Sequence, residues 1–241
     1  RSRQRGGSAS TFASNSPGGV LNLISKTGEV EGGAIQGTLG VNYGEHRLDA
    51  DYGYKLSDTV RMHVGGFYRQ GEGPRDVGFD AYKGGQIKAN ITKQFENGYV
   101  RLYGKWLDDR TPSYQDVPMK ISGTNGSPVF GNLTNFDAQT DSLQSRNNYN
   151  VLTLDGANNI KHDDPRDGQH AVVKSVGLDS QFEVAGWSLS EKARFSAVSG
   201  ADFNITTLAV APAAALGFVY GGPGGVLSYA TGPQTGQVIA N

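Results

Sequence analysis

The residues of this chain best suited to hold a ligand are arginines and aromatics in two polar stretches: Arg75, Phe79 and Tyr82 in one, Arg110, Tyr114 and Phe130 in the next. Arginine clamps carboxylate and chelate anions with its planar fork, and aromatic rings stack on catecholate or haem planes. Each of the six also has an ordinary alternative role, packing its own loop. The run His162-Asp163-Asp164-Pro165-Arg166-Asp167-Gly168 has the acidic density of a calcium loop. Counted from Asp163, however, the third position is Pro165 and the twelfth is Lys174, which excludes an EF-hand and favours a solvated acidic loop.

Catalytic constellations are missing from the sequence. There is no Gly-x-Ser-x-Gly elbow and no His-Glu-x-x-His, and with no cysteine there is no thiolate nucleophile, disulfide or thiolate-held zinc. Gly71-Glu72-Gly73 has Asp76 where a dinucleotide fingerprint needs its last glycine, and Gly221 to Gly225 lacks the lysine of a phosphate loop. His63, next but one to Arg61, reads as a member of a polar network rather than a metal ligand. No enzyme, metal site or cofactor is expected. A net charge of -1 offers no basic stripe for nucleic acid.

The elements that must carry these residues are strands. From Gly33 to Phe95 apolar and polar residues alternate: Leu48, Ala50, Tyr52 and Tyr54 share one parity, and Arg47, Asp49 and Asp51 the other. Tight turns are expected at Ser57-Asp58, Asn97-Gly98 and Ala185-Gly186. Long connections are expected over about 70–84, 108–169 and 200–241. Strands assigned alternately up and down gather Tyr43, Tyr68 and Trp106 at one rim and Tyr54, Phe95, Phe182 and Trp187 at the other. Two aromatic girdles of this kind, with short turns at one end and long loops at the other, predict about seven strands of a transmembrane antiparallel β-barrel wall. In register, Phe95 is expected opposite Val100, and Tyr43 opposite Leu48. The most apolar run, Leu208 to Tyr220, is too short to span a bilayer as a helix, is broken by Pro212, and reads as loop.

Before the first strand stands Gly6-Gly7-Ser8-Ala9-Ser10-Thr11-Phe12-Ala13-Ser14-Asn15-Ser16, followed by Pro17-Gly18-Gly19-Val20-Leu21-Asn22-Leu23-Ile24-Ser25-Lys26. This segment resembles the end of the plug domain in TonB-dependent outer-membrane receptors. There a small-residue stretch leads to Gly-Gly-Val/Ile-hydrophobic-Asn and then Ile-Ser/Thr-Lys. Pro17, Gly18, Gly19, Val20, Asn22 and Lys26 carry the match. Gly7 stands where the family's Arg-Gly-Pro turn has proline.

The resemblance implies an all-β fold, with residues 1–29 as the end of a plug and 30–241 as the first part of a 22-stranded barrel in the bacterial outer membrane. Arg47, Asp49, Asp51, Lys88 and Arg101 would then brace the wall against the plug. The implied partners are TonB, contacted through an upstream segment, outer-membrane lipid, and a small-molecule cargo, most often a ferric siderophore. Arg1 to Arg5 is basic without the apolar stretch of a secretory signal, and Gln237 to Asn241 is irregular, so the chain is expected to begin and end within a longer protein. The alternatives are a passive porin, in which the plug-like segment has no place, and a soluble or surface β-adhesin.

Overall fold

The computed structural model describes residues 2–4, 20–114, 116–205, 211–230 and 232–240. In chain order the strands are β1 (Ser2–Gln4), β2 (Val20–Asn22), β3 (Gly32–Leu39), β4 (Gly44–Ser57), β5 (Val60–Gly73), β6 (Tyr82–Phe95) and β7 (Gly98–Thr111). They continue as β8 (Lys120–Thr124), β9 (Ser127–Gly131), β10 (Val151–Leu154), β11 (Ile160–Asp163), β12 (Gln169–Val184) and β13 (Trp187–Asp202), with a short 3-10 turn at Pro165–Asp167 before β12 and the α-helix α1 (Ala213–Gly221) last.

Two compact units result. The first comprises Arg1–Pro74, Gly78–Pro112 and Asp167–Asp202; the second comprises Arg75–Val77, Ser113–Arg166 and Phe203–Asn241.

The first unit holds a seven-stranded antiparallel sheet in the order β13-β12-β7-β6-β5-β4-β3, together with the β1–β2 pair. Two-residue turns join β4 to β5, β6 to β7 and β12 to β13 at one end. The long excursions 74–81 and 112–168 leave from the other. Ala185 and Gly186 both have positive φ (50° and 80°), the twist that a two-residue hairpin favours.

Burial on this sheet is inverted. Along β4 the apolar Leu48, Ala50, Tyr52 and Tyr54 are exposed, while Arg47, Asp49 and Asp51 between them are half-buried. Ile35, Trp187 and Phe195 are 81%, 74% and 73% exposed. Apart from Pro112 and Pro165, the buried apolar side chains among the described residues are Val77, Ala81 and Ala138, and none of the five lies in a strand of the sheet. Covering a large apolar side chain is worth about 1.5–3 kcal/mol, so an aqueous fold would bury this face first.

Three expectations about register are corrected, each by an even number of residues or a local bulge, so that the parity of the faces survives. Phe95 faces Gly98 rather than Val100, and the turn is Glu96-Asn97. Neither Asn97 nor Gly98 has positive φ, so the Asn-Gly pair is not used as a primed turn. Gly98 instead leaves a gap in which the rings of Phe95 and Phe182, from strands on either side of β7, meet at 5.8 Å.

Leu48 faces Gly37 rather than Tyr43. Tyr43 lies in a four-residue reversal, 40–43, closed by Gly40 N–H to Glu45 O at 2.9 Å. A Cβ on Gly40 would come within 2.4 Å of the Tyr43 carbonyl, so glycine permits the tight return. The first turn is Asp58-Thr59, one residue later than expected. A bulge between Lys55 and Ser57 absorbs the difference, and Ser57 Oγ accepts from Val60 N at 3.1 Å.

The second unit contains the hairpins β8–β9 and β10–β11 and the helix α1. The apolar run read as loop is helical over Ala213–Gly221, opening directly after Pro212, where proline's fixed φ suits a helix start. Its first residues, 208–210, lie outside the described residues.

Candidate functional site

The polar parity of the sheet forms one continuous charged face. Near the ends of β4 and β5 that lead to the longer connections, Asp49 holds Arg47 through two hydrogen bonds of 2.7 Å, and Asp109 holds Arg69 through two of 3.0 and 2.5 Å. Bidentate pairing fixes both guanidinium planes. Phe67 lies between them, its ring centroid 4.0 Å from Arg47 Cζ and 5.9 Å from Arg69 Cζ, and Tyr82 stacks on Arg69 at 5.1 Å. Cross-strand register explains the ladder: Arg47 pairs with Arg69, and Asp49 with Phe67.

Lower on the same face, Arg101 donates to Thr92 Oγ1 at 2.9 Å and to Asp179 Oδ2 at 3.1 Å, and it covers the Tyr99 ring at 4.8 Å. Thr92 is fully buried there.

Residues 23–30 run as a strap along this face. Lys26 Nζ meets Asp51 Oδ2 at 2.7 Å, and the same oxygen contacts His63 Nε2 at 3.1 Å. Asn90 Nδ2 donates to the Lys26 carbonyl at 2.9 Å, and Arg61 reaches Glu29 at 3.4 Å. Gly28 makes the closest approach. Its φ is +76°, and a Cβ there would stand 2.1 Å from the Met62 carbonyl oxygen. Gly53 answers from the wall, where a Cβ would meet the Val30 carbonyl at 2.6 Å. Gly53 is one of the strand glycines that the sequence alone assigns to a curved wall or to close packing against a lumen domain, whereas Gly28 is not singled out by it. A glycine two residues after Lys26 and another alternating with tyrosines in β4 were the available signals.

Of the residues singled out as ligand candidates, the structure brings two together. Arg75 Cζ lies 5.6 Å from the Tyr114 ring centroid, and its Nη1 donates to Ala138 O at 3.2 Å and Asp141 O at 2.6 Å. This guanidinium ties its own stretch to residues 138–141 of the 112–168 excursion. Tyr82 belongs to the arginine ladder above. Arg110 is taken by Asp167 at 3.0 Å and Asp108 at 3.6 Å. Phe79 is half-buried in the 74–81 connection, and Phe130 is exposed on β9, stacked on no ring or cation among the described residues.

Each acid of the 162–168 run has a partner. Asp163 accepts from Thr153 Oγ1 and pairs with Lys161, Asp164 takes Arg166 at 2.6 Å, and Asp167 takes Arg110. The Arg166 hydrogen bond holds Asp164 below the ordinary carboxylate value. Among the described residues no group of three or more His, Asp or Glu side chains is arranged to hold a metal.

The expected girdle residues fall mainly on the apolar face. Tyr68, Trp106, Tyr54, Phe95 and Trp187 are exposed there, and Phe182 is half-covered by Phe95. Tyr43 sits beyond the end of β3. Of the plug-like motif, Pro17, Gly18 and Gly19 lie outside the described residues, Val20 and Asn22 bound β2, and Lys26 anchors the strap.

Fold and face together define a β-sheet wall, apolar on one side and charged on the other, with a polypeptide strap bound to the charged side. No known protein family, curated protein or solved structure matches this chain.

Proposed function

We propose that this chain is part of the wall of an outer-membrane β-barrel, in a TonB-dependent receptor that takes up a scarce substrate under energised control, with a ferric siderophore as the foremost cargo. The inverted burial of the sheet carries the membrane part of this reading. A face of exposed Leu, Ile, Tyr, Phe and Trp opposite a face of paired charges suits lipid on one side and a polar lumen on the other. No helix among the described residues is long and apolar enough to cross a membrane.

The receptor part is supported by the wording Gly18-Gly19-Val20-Leu21-Asn22 and Ile24-Ser25-Lys26, followed by a strap on the charged face. Substrate would meet loop residues first and the charged face second. Arg47, Arg69, Arg101 and their acids would line the path rather than react.

The test is uptake of a radiolabelled ferric siderophore by cells expressing the full-length protein, with and without TonB. Accumulation that needs TonB supports the reading. Solute flux that persists without it makes the protein a passive porin, and release into buffer without detergent makes it a surface adhesin.

A further inference from the structure

The charged face has more cations than its own carboxylates can neutralise. An open concavity of about 1170 Å³ on this face is lined by Lys26, Arg47, Lys88, Arg101, Lys105 and two further cations, Lys192 and Arg194, against the three carboxylates Asp49, Asp51 and Asp179. Each of those carboxylates already has a cation: Arg47, Lys26 and Arg101 respectively. Four cations are left over. Lys88 reaches only Ser25 Oγ, at 3.5 Å, and Lys105, Lys192 and Arg194 have no hydrogen bond or ion pair among the described residues.

The leftover charges are grouped by register. Lys88 faces Lys105 directly across β6 and β7, a like-charge pairing that destabilises a sheet unless an anion lies between. On the neighbouring row, Tyr103 faces Gly177 and Gly177 faces Arg194. A Cβ on Gly177 would stand 2.4 Å from the Tyr103 hydroxyl oxygen, so the missing side chain lets the phenol lie over β12 toward Arg194. Lys192 follows one row further, opposite the Asp179 that Arg101 occupies.

We propose that Lys88, Lys105, Tyr103, Arg194 and Lys192 form a docking site for a solute carrying two or more carboxylate or phosphate groups. Lysine ammonium groups are mobile point charges with three donors each, suited to anions of varied shape, and the phenol adds one fixed donor. The site deepens the uptake reading and rests on it: it makes the cargo a polyanion and places its resting point on β6, β7, β12 and β13.

The experiment uses the full-length protein in detergent micelles and isothermal titration with citrate, with pyrophosphate, and with uncharged maltotriose. One or both anions bind, more weakly as salt rises, and maltotriose does not. Citrate binding more tightly marks a carboxylate site, and pyrophosphate binding more tightly marks a phosphate site. Removing two charge-assisted contacts in Lys105→Gln/Arg194→Gln weakens the preferred anion about tenfold or more. Lys105→Arg retains binding, and Lys93→Gln, on the opposite face, leaves it unchanged. Anion affinity unaltered in the double variant, or binding of neither anion, overturns the site. Vesicle insertion of the same preparation is scored separately. A protein that inserts but binds neither anion loses the site alone, and one that binds citrate but fails to insert loses the uptake reading alone.

Discussion

Lys26 and Asp51 lie 25 residues apart in sequence and 2.7 Å apart in space, and through them the strap is bolted to the middle of β4. Asp51 is also the partner of His63, so one carboxylate ties strap, β4 and β5 together.

The bolt depends on the close approach two residues later. Gly28→Val places a β-branched side chain at φ +76° and against the Met62 carbonyl, a conflict of about 1–3 kcal/mol that is relieved by lifting the strap. Trypsin should then cut after Lys26 faster in the variant, while cuts after Lys88 and Arg101 keep their wild-type rate. Equal rates at Lys26 would show that the strap is held without this contact.

Val64 and Gln36 sit on opposite faces of the sheet, Val64 in the Tyr52 row and Gln36 facing Asp49. In a bilayer Val64→Arg should cost about 2–4 kcal/mol, and Gln36→Arg, beside a carboxylate, much less. Refolding titrations of the full-length variants into lipid vesicles measure both. Similar losses would mean that the apolar face does not meet lipid.

The β10–β11 hairpin should loosen in acid. Asp155 accepts from the side chain of Asn159 and from the backbone N–H groups of Asn159 and Ala157. These bonds, the Asn159 side chain first, hold it below its ordinary value of 3.8, and the Lys161 hydrogen bond does the same for Asp163. The folded hairpin therefore binds fewer protons than the open one. Its stabilisation is complete above the ordinary carboxylate value and is lost as pH falls through the lowered values. Cross-strand NMR contacts between Leu154 and Ile160 should fade in that window, and Asp155→Asn/Asp163→Asn should remove the pH response.

Gly98→Val should be poorly tolerated although glycine here has ordinary φ, because a Cβ would stand 2.6 Å from Phe182 Cδ1 and 2.0 Å from the Gln181 carbonyl. Loss of the ring contact should lower the thermal midpoint of the variant, and Phe182→Ala should lower it further. A midpoint unmoved in both would make the aromatic pair incidental.

Alternation made the strands and their two faces readable, because a period of two survives any even slip in register. Register itself was misread at Gly98 because glycine has two uses, a turn with positive φ or a gap for neighbouring rings, and the sequence does not distinguish them. Tyr43 was misplaced because alternation runs on through Val41 into the reversal. The helix at Ala213 escaped notice because nine residues without a polar face show no period at all. At the site, the paired acids and arginines were legible as a charged face. Their pairing was not, since Arg69 and Asp109 are 40 residues apart. Arg75 is an anion clamp or a loop-packing residue on sequence alone, and the structure gives it the second role, donating to two carbonyls of the 112–168 excursion.

Phe95 and Phe182 meet across Gly98, and that contact bears on the order in which the sheet is built. The β6–β7 hairpin closes through two residues, whereas β12 returns only after the excursion 112–168. Closing a loop of that length carries an entropy penalty that must be met before the β7–β12 ladder rewards it, and long-range pairing of this kind is slow. A preassembled hairpin already presents the Phe95 ring with an empty notch beside it. It is thus a nucleation template on which the late strand can find its alignment, and Phe182 belongs among the residues whose truncation slows folding rather than hastening unfolding.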